Sequence, residues 1–206
     1  MKQKYSWEIT DEFWAIAKPL IPQKTRDFNK EYQRKPGGGR PPIEPRTILA
    51  AIFFVLRTGI QWKALPKSFG ASSSVHRYFI FWAEAVFFKA LWACGLRKYD
   101  EVKGIDWTWL SGDGCMTKAP LAQETVGANP TDWGKKGNKR HLLVDGIGVA
   151  LSIIITGANR HDVSQLEMVL DCIIIERPDP LEHPHHLYLD AGYTGESALK
   201  LLYYMD

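Results

Sequence analysis

Apolar positions along this chain recur at helical spacing up to about residue 100, then switch to short continuous runs broken by glycine. Thr10 stands where an N-cap belongs, with Asp11 and Glu12 at the positive end of the helix that follows. Ile9 and Trp14 fall at the two staple positions, and the helix runs through Phe13, Trp14, Ala17 and Leu20 to end near Pro22. The stretch "RKPGGGRPP" is a linker by composition. A second helix opens with Pro45 in its first turn and closes before Gly59. Ile48, Leu49, Ile52, Phe53, Val55 and Leu56 form its broad apolar face. A third helical run starts at Ser72, "SSSVHRYFIFWAEAVFFKALW", with Val75, Tyr78, Phe79 and Trp82 in one buried stripe.

Beyond that point the period changes. "GIDWTWLSGDG" reads as a strand ending at Asp113, and "RHLLVDGIGVALSIIITG" as two strands hinged at Asp145-Gly146. "DVSQLEMVLDCIII" carries Val163, Leu166, Val169 and Leu170 at helical spacing, with Ser164 near its start. "HHLYLDAGY" is a further strand, and "GESALKLLYYM" begins another helix. The expected order is strand, two-stranded hairpin, helix, strand, helix, and the fold class is α+β.

Composition sharpens the division. An apolar content of 45% in 206 residues suffices for a real core. No apolar run reaches the roughly eighteen residues that a membrane span needs. The N-terminus lacks the apolar segment of a secretory signal, so a cytoplasmic location is expected. Cys94, Cys115 and Cys172 form no metal or disulfide pattern and read as buried thiols. Net charge is +3, but residues 1–100 hold 17 Lys/Arg against 8 Asp/Glu, whereas 101–206 hold 9 against 15. Two domains are expected, 1–100 and 101–206: a basic one suited to a phosphate backbone, and an acidic one that tolerates a polyanion only with cations between them.

Two features then carry chemistry. A turn containing Gly70 precedes a helix whose first turn shows Ser73, Ser74, His76 and Arg77 outward, a helix-turn-helix pattern able to reach phosphates and base edges. Asp113 and Asp190 each sit where an apolar strand meets glycine. Carboxylates brought together at adjacent strand ends repel, and both stay ionised most easily if hard cations bridge them. Two Mg²⁺ (or Mn²⁺) ions so held would activate a water or a 3′-hydroxyl against a phosphodiester. Taken singly, either Asp is equally a turn former beside glycine.

The wording around these residues resembles a known family. "GGGRPPIEPRTILAAIFFVLRTGIQWKALPKSFG", then "GDG", "GKKGNKRHLLVDGIGVALSIIITGANRHD" and "LDAGY" resemble, in order, the bacterial insertion-sequence transposases of the DDE type, in the IS-four/IS-five group. The resemblance implies an RNase-H-like domain behind a helical DNA-binding domain. It implies Asp113 and Asp190 as catalytic metal ligands, double-stranded DNA at the element ends and target as partner, and a homo-oligomer on that DNA in the bacterial nucleoid. Arg40 lies in the "GRPP" motif and is expected at DNA. The family's third carboxylate is a Glu on a later helix. Glu196 follows Asp190 by only six residues, so the chain is expected to be truncated inside the catalytic domain and inactive alone. A non-catalytic DNA-binding protein that inhibits the full-length enzyme is the competing expectation.

Three lesser signals remain. "KKGNKR" puts Lys135, Lys136, Lys139 and Arg140 ahead of a strand as a phosphate clamp. "ANRHD" offers Arg160 and His161 as support for the active site, with Asp162 as a helix cap. "EHPHH" spaces His183, His185 and His186 unlike any standard zinc site.

Overall fold

The computed structural model describes residues 5, 7–23, 31, 41–120, 122, 124–190 and 193. The chain divides into two compact units, Met1–Gly95 and Leu96–Asp206. The expected DNA contact Arg40 and the expected last helix lie outside the described residues.

The first unit is helical. Helix α1 spans Asp11–Ala17, and the Thr10 side chain accepts the Phe13 amide at 3.2 Å, as its cap position requires. Arg46 ties it to the next helix: its guanidinium pairs with Asp11 at 2.7 Å and donates to the Ile9 carbonyl at 2.5 Å. Helix α2, Pro45–Thr58, stops at Gly59, whose φ of 67° is a left-handed cap that suits glycine. Ile48, Leu49, Ala51, Ile52 and Val55 are buried, whereas Leu56 is 58% exposed. Phe53 packs partly buried against this core, so of the expected face only Leu56 turns to solvent. Two 3₁₀ turns, Trp62–Ala64 and Lys67–Phe69, lead into α3, Ser72–Glu84.

The single helical run expected from Ser72 is broken. Val86 adopts φ 59°, and α4, Phe87–Lys103, leaves α3 at 69°. The break lets the rings of Trp82 and Phe87 meet at 4.9 Å in a tilted contact and bury together. No single helix among the described residues is long and apolar enough to cross a membrane.

The second unit is built on a mixed sheet. Its strands are β1 (Trp109–Lys118), β2 (Gly127–Ala128), β3 (Lys136–Val144), β4 (Ala150–Gly157) and β5 (His186–Leu189). β1, β3 and β4 form an antiparallel meander, β2 pairs with the start of β3, and β5 joins β1 in parallel. A parallel partner needs a crossover, and the segment carrying the 3₁₀ turn Val163–Gln165 and helix α5, Leu166–Asp171, supplies it. Leu166, Val169 and Leu170 bury in the core with Leu110, Leu143 and Leu151. Together the units make an α+β protein.

The hairpin signal at Asp145-Gly146 holds, but its geometry differs from a two-residue turn. Five residues connect β3 to β4, and the left-handed glycine is Gly148, at φ 88°. Asp145 organises the connection from inside: its buried carboxylate accepts the amides of Asp106 (3.1 Å), Ile147 (3.1 Å) and Val149 (2.7 Å). The cysteines are unpaired, but Cys115 is exposed and the other two are half-buried, because β1 turns Cys115 to its outer face.

Candidate active site

β1 does not end at Asp113; it runs on to Lys118. The flanking glycines are therefore not turn formers. Each makes room for a neighbour: a Cβ on Gly112 would stand 2.9 Å from Leu189, and one on Gly114 would collide with the Asp162 carboxylate. β5 does end beside its acid, and the register explains why Asp113 and Asp190 belong together. Gly112 pairs with Leu189 across the parallel ladder, so the two aspartates are the next residue on each of two neighbouring chains. Adjacent strands lie about 4.8 Å apart, which sets the scale of their separation.

Alternation assigns the faces. Trp109, Ser111, Asp113 and Cys115 are exposed on β1, and His186 and Tyr188 are exposed on β5. Trp109 stacks on His186 at 4.6 Å and meets Tyr188 at 5.2 Å, so an aromatic cluster sits on the same face as Asp113. Asp113 Oδ1 accepts the Gly114 amide at 2.7 Å, which fixes one carboxylate oxygen.

The opposite face holds a polar network that sequence reasoning missed. Asp162 has no capping hydrogen bond; its carboxylate turns into the sheet instead. There it pairs with Lys139 Nζ at 2.7 Å, and its other oxygen lies 3.1 Å from His141 Nδ1, within ion-pair reach but off the line of a hydrogen bond. His141 Nε2 contacts the Thr156 hydroxyl at 2.8 Å. Lys139 also reaches the Arg160 carbonyl at 3.5 Å. A buried ammonium is tolerated only when so paired, and stripping away Asp162 would cost about 3–5 kcal/mol. The signal was present in the sequence. Lys139 and His141 alternate onto one face of β3, and a glycine opposite them leaves space for an acid.

Tyr193 lies just beyond β5. It is buried, its amide donates to the Asp190 carbonyl at 3.1 Å, and its phenol is held well above the ordinary range. Burial is the largest cause, followed by the charges of Asp162, Asp113 and Asp190.

The remaining sequence candidates fall in three places. Ser73, His76 and Arg77 are exposed on α3 and Ser74 is half-buried; His76 packs edge-on against Trp62 at 5.0 Å. Lys135, Lys136 and Arg140 are exposed, whereas Lys139 is buried against Asp162 and presents no ammonium to solvent. Arg160 and His161 have exposed side chains. The residue of that motif that reaches the sheet is Asp162.

His141 gives the unit a pH dependence with a definite sign. Burial lowers its pKa from 6.5, with Lys139 acting the same way and Asp162 opposing. The unfolded chain therefore binds the proton first. Stability is full above about pH 6.5 and falls as pH drops from there through the depressed folded value, by at most about 1.4 kcal/mol per pH unit for one proton. Denaturant midpoints between pH 7.5 and 5 should show this fall, and His141→Gln should flatten it. An unchanged slope in that variant would assign the effect elsewhere.

The helical unit is thus followed by a sheet unit in which two carboxylates stand one step beyond a parallel pairing, and similarity supplies the family. Residues 9–92 match the family profile described as "Putative transposase of IS4/5 family", and residues 105–204 match the "Transposase DDE domain". A protein of Burkholderia cepacia described as "Putative transposase for insertion sequence element IS402" is 42% identical over 74 residues, 34% of this chain and 35% of its own length. The "Insertion element IS402 uncharacterized 16.2 kDa protein" of the same organism is 31% identical over 124 residues, 59% of this chain and 80% of its own length. The chain belongs to the IS4/5-type insertion-sequence transposases with a DDE domain. It aligns with about a third of the first relative's length. No solved structure matches it.

Proposed function

We propose that this chain acts in transposition of an insertion sequence, gripping element ends through its helical unit and cutting and joining DNA at Asp113 and Asp190 of an RNase-H-like sheet. The observation that carries the catalytic part is the shared level of the two carboxylates on neighbouring parallel strands, one step beyond Gly112 and Leu189. The donor set fits a hard divalent cation: both ligands are carboxylates with exposed side chains, and no soft donor stands between them in the ladder. Mg²⁺ (or Mn²⁺) bound there would activate a water or 3′-hydroxyl and neutralise charge on the phosphodiester. The chain's own residues do the rest. The Asp113 bond to the Gly114 amide orients one ligand, and the Lys139–Asp162 pair stiffens the strand behind it.

For the helical unit, exposed Ser73, His76 and Arg77 on α3 are the DNA-facing residues, because a helix N-terminus with unpaired amides and a cation suits phosphate. Lys135, Lys136 and Arg140, with Arg160 and His161, extend the positive surface on the sheet unit. Synapsis of two ends requires two copies, so the working form is a homo-oligomer on DNA in the cytoplasm.

Binding of the chain to duplex DNA should weaken steeply with salt, with a slope of about −0.9 per phosphate contacted. Arg77→Ala should lower that slope by about one while leaving the melting temperature unchanged. Binding that ignores salt, or an Arg77 variant with the parental slope, would remove the helical unit from DNA recognition.

A further inference from the structure

Trp133 stands at the tip of the connection between β2 and β3 and is 95% exposed. Its backbone is left-handed, at φ 53°, and Gly134 follows at φ 70°. A bulky side chain avoids that region, and a free indole face avoids water. Neither cost is recovered inside the loop.

The loop that imposes them is tightly built. Asn129, buried, anchors it: its side-chain oxygen accepts the Thr131 amide at 3.0 Å and the Thr131 hydroxyl at 2.9 Å. Its carbonyl accepts the amides of Asp132 (3.3 Å) and Gly134 (3.0 Å), and its own amide donates to Lys135 at 2.9 Å. Asp132 draws in Lys118 at 3.2 Å and Lys135 at 3.5 Å. Lys136, exposed, begins β3 beside them. An outward indole is thus carried on a hydrogen-bonded loop amid three lysines with one carboxylate between them, a surface of net positive charge.

We infer that Trp133 is a nucleic-acid contact: its indole stacks on or wedges between bases of duplex DNA at a distorted step, while Lys118, Lys135 and Lys136 take the flanking phosphates. An aromatic plane amid cations is the chemistry of base stacking beside a polyanion. A loop backbone fixed in advance spares part of the ordering cost of binding. This inference rests on the reading of the chain as a protein that acts on DNA. It adds a contact on the sheet unit that neither the charge pattern nor the helix-turn-helix pattern contains. An anionic membrane would attract the same groups, but one indole on a short hairpin loop offers little apolar area for insertion.

The test uses the whole chain and fluorescence anisotropy on two labelled duplexes, one fully matched and one with a central mismatch. Trp133→Asn removes the indole yet suits the left-handed backbone, so it should melt no lower than the parent. It should bind the mismatched duplex roughly tenfold more weakly, with an unchanged salt slope. Trp133→Phe should recover most of that loss. Lys135→Ala with Lys136→Ala should instead flatten the slope by about two. If the parent binds both duplexes with strong salt dependence and Trp133→Asn binds identically, the inference fails while the transposase reading stands. If the parent binds neither duplex, both fail. Loss of binding to phosphatidylserine vesicles, or of self-association in sedimentation, without any loss on DNA would also overturn it.

Discussion

Asp113→Asn should abolish the stabilisation of this chain by Mg²⁺ or Mn²⁺ without lowering its stability in their absence. Asp113 follows Gly112 and Asp190 follows its ladder partner Leu189, which puts two like charges at one level of adjacent strands. Removing one of them relieves repulsion, so the variant should melt at or slightly above the parent in a chelator. The parent should gain about 1.4 kcal/mol when the ion is supplied at roughly ten times its dissociation constant, and the variant should gain none. Asp190→Asn should behave in the same way. Scanning calorimetry with and without metal separates this from a structural role, in which the variant would lose stability under both conditions. In a transposition-competent context the same substitution should eliminate metal-dependent strand cleavage and leave DNA binding intact. A parent that gains nothing from either ion, or an Asp113 variant that gains as much as the parent, would end the metal proposal.

Asp145→Ala should cost the sheet unit about 3–5 kcal/mol, a large share of the 5–15 kcal/mol that holds an ordinary domain together. Three amides, those of Asp106, Ile147 and Val149, converge on this one buried carboxylate. Truncation leaves all of them without this acceptor and empties the space of a side chain that is 2% exposed. Asp145→Asn keeps one acceptor oxygen and should lose less than half as much. Urea unfolding followed by far-ultraviolet dichroism reads both values. His141 stays buried in the folded Ala variant, so the pH dependence assigned to it should persist. A loss below about 1 kcal/mol would mean that the turn is held by its backbone alone.

Much of the helical unit was legible because its signals are local. A Thr that bonds an amide three residues on, a Pro in a first turn and a left-handed Gly each act within one helical turn, so Thr10, Pro45 and Gly59 mark boundaries wherever the rest of the chain lies. The errors there are failures of the same locality. The break at Val86 exists because Trp82 and Phe87 pack on each other, and no propensity within the run announces it. In the sheet unit, glycine was misread at Asp113 for a related reason. Beside a carboxylate it suggests a turn, yet Gly112 and Gly114 are small to admit Leu189 and Asp162, partners 77 and 48 positions away in the chain.

The amino-acid order alone determined the partition into a basic helical and an acidic sheet-bearing half, the ends of several helices, the hairpin and the family. Only the tertiary structure decided that Asp113 and Asp190 share a level and that Asp162 turns inward to Lys139 and His141. The physical reason is range. Capping and periodicity are settled by atoms a few residues apart, whereas the environment of a carboxylate is set by strand register and burial, which the whole sheet must form before any one residue can experience them.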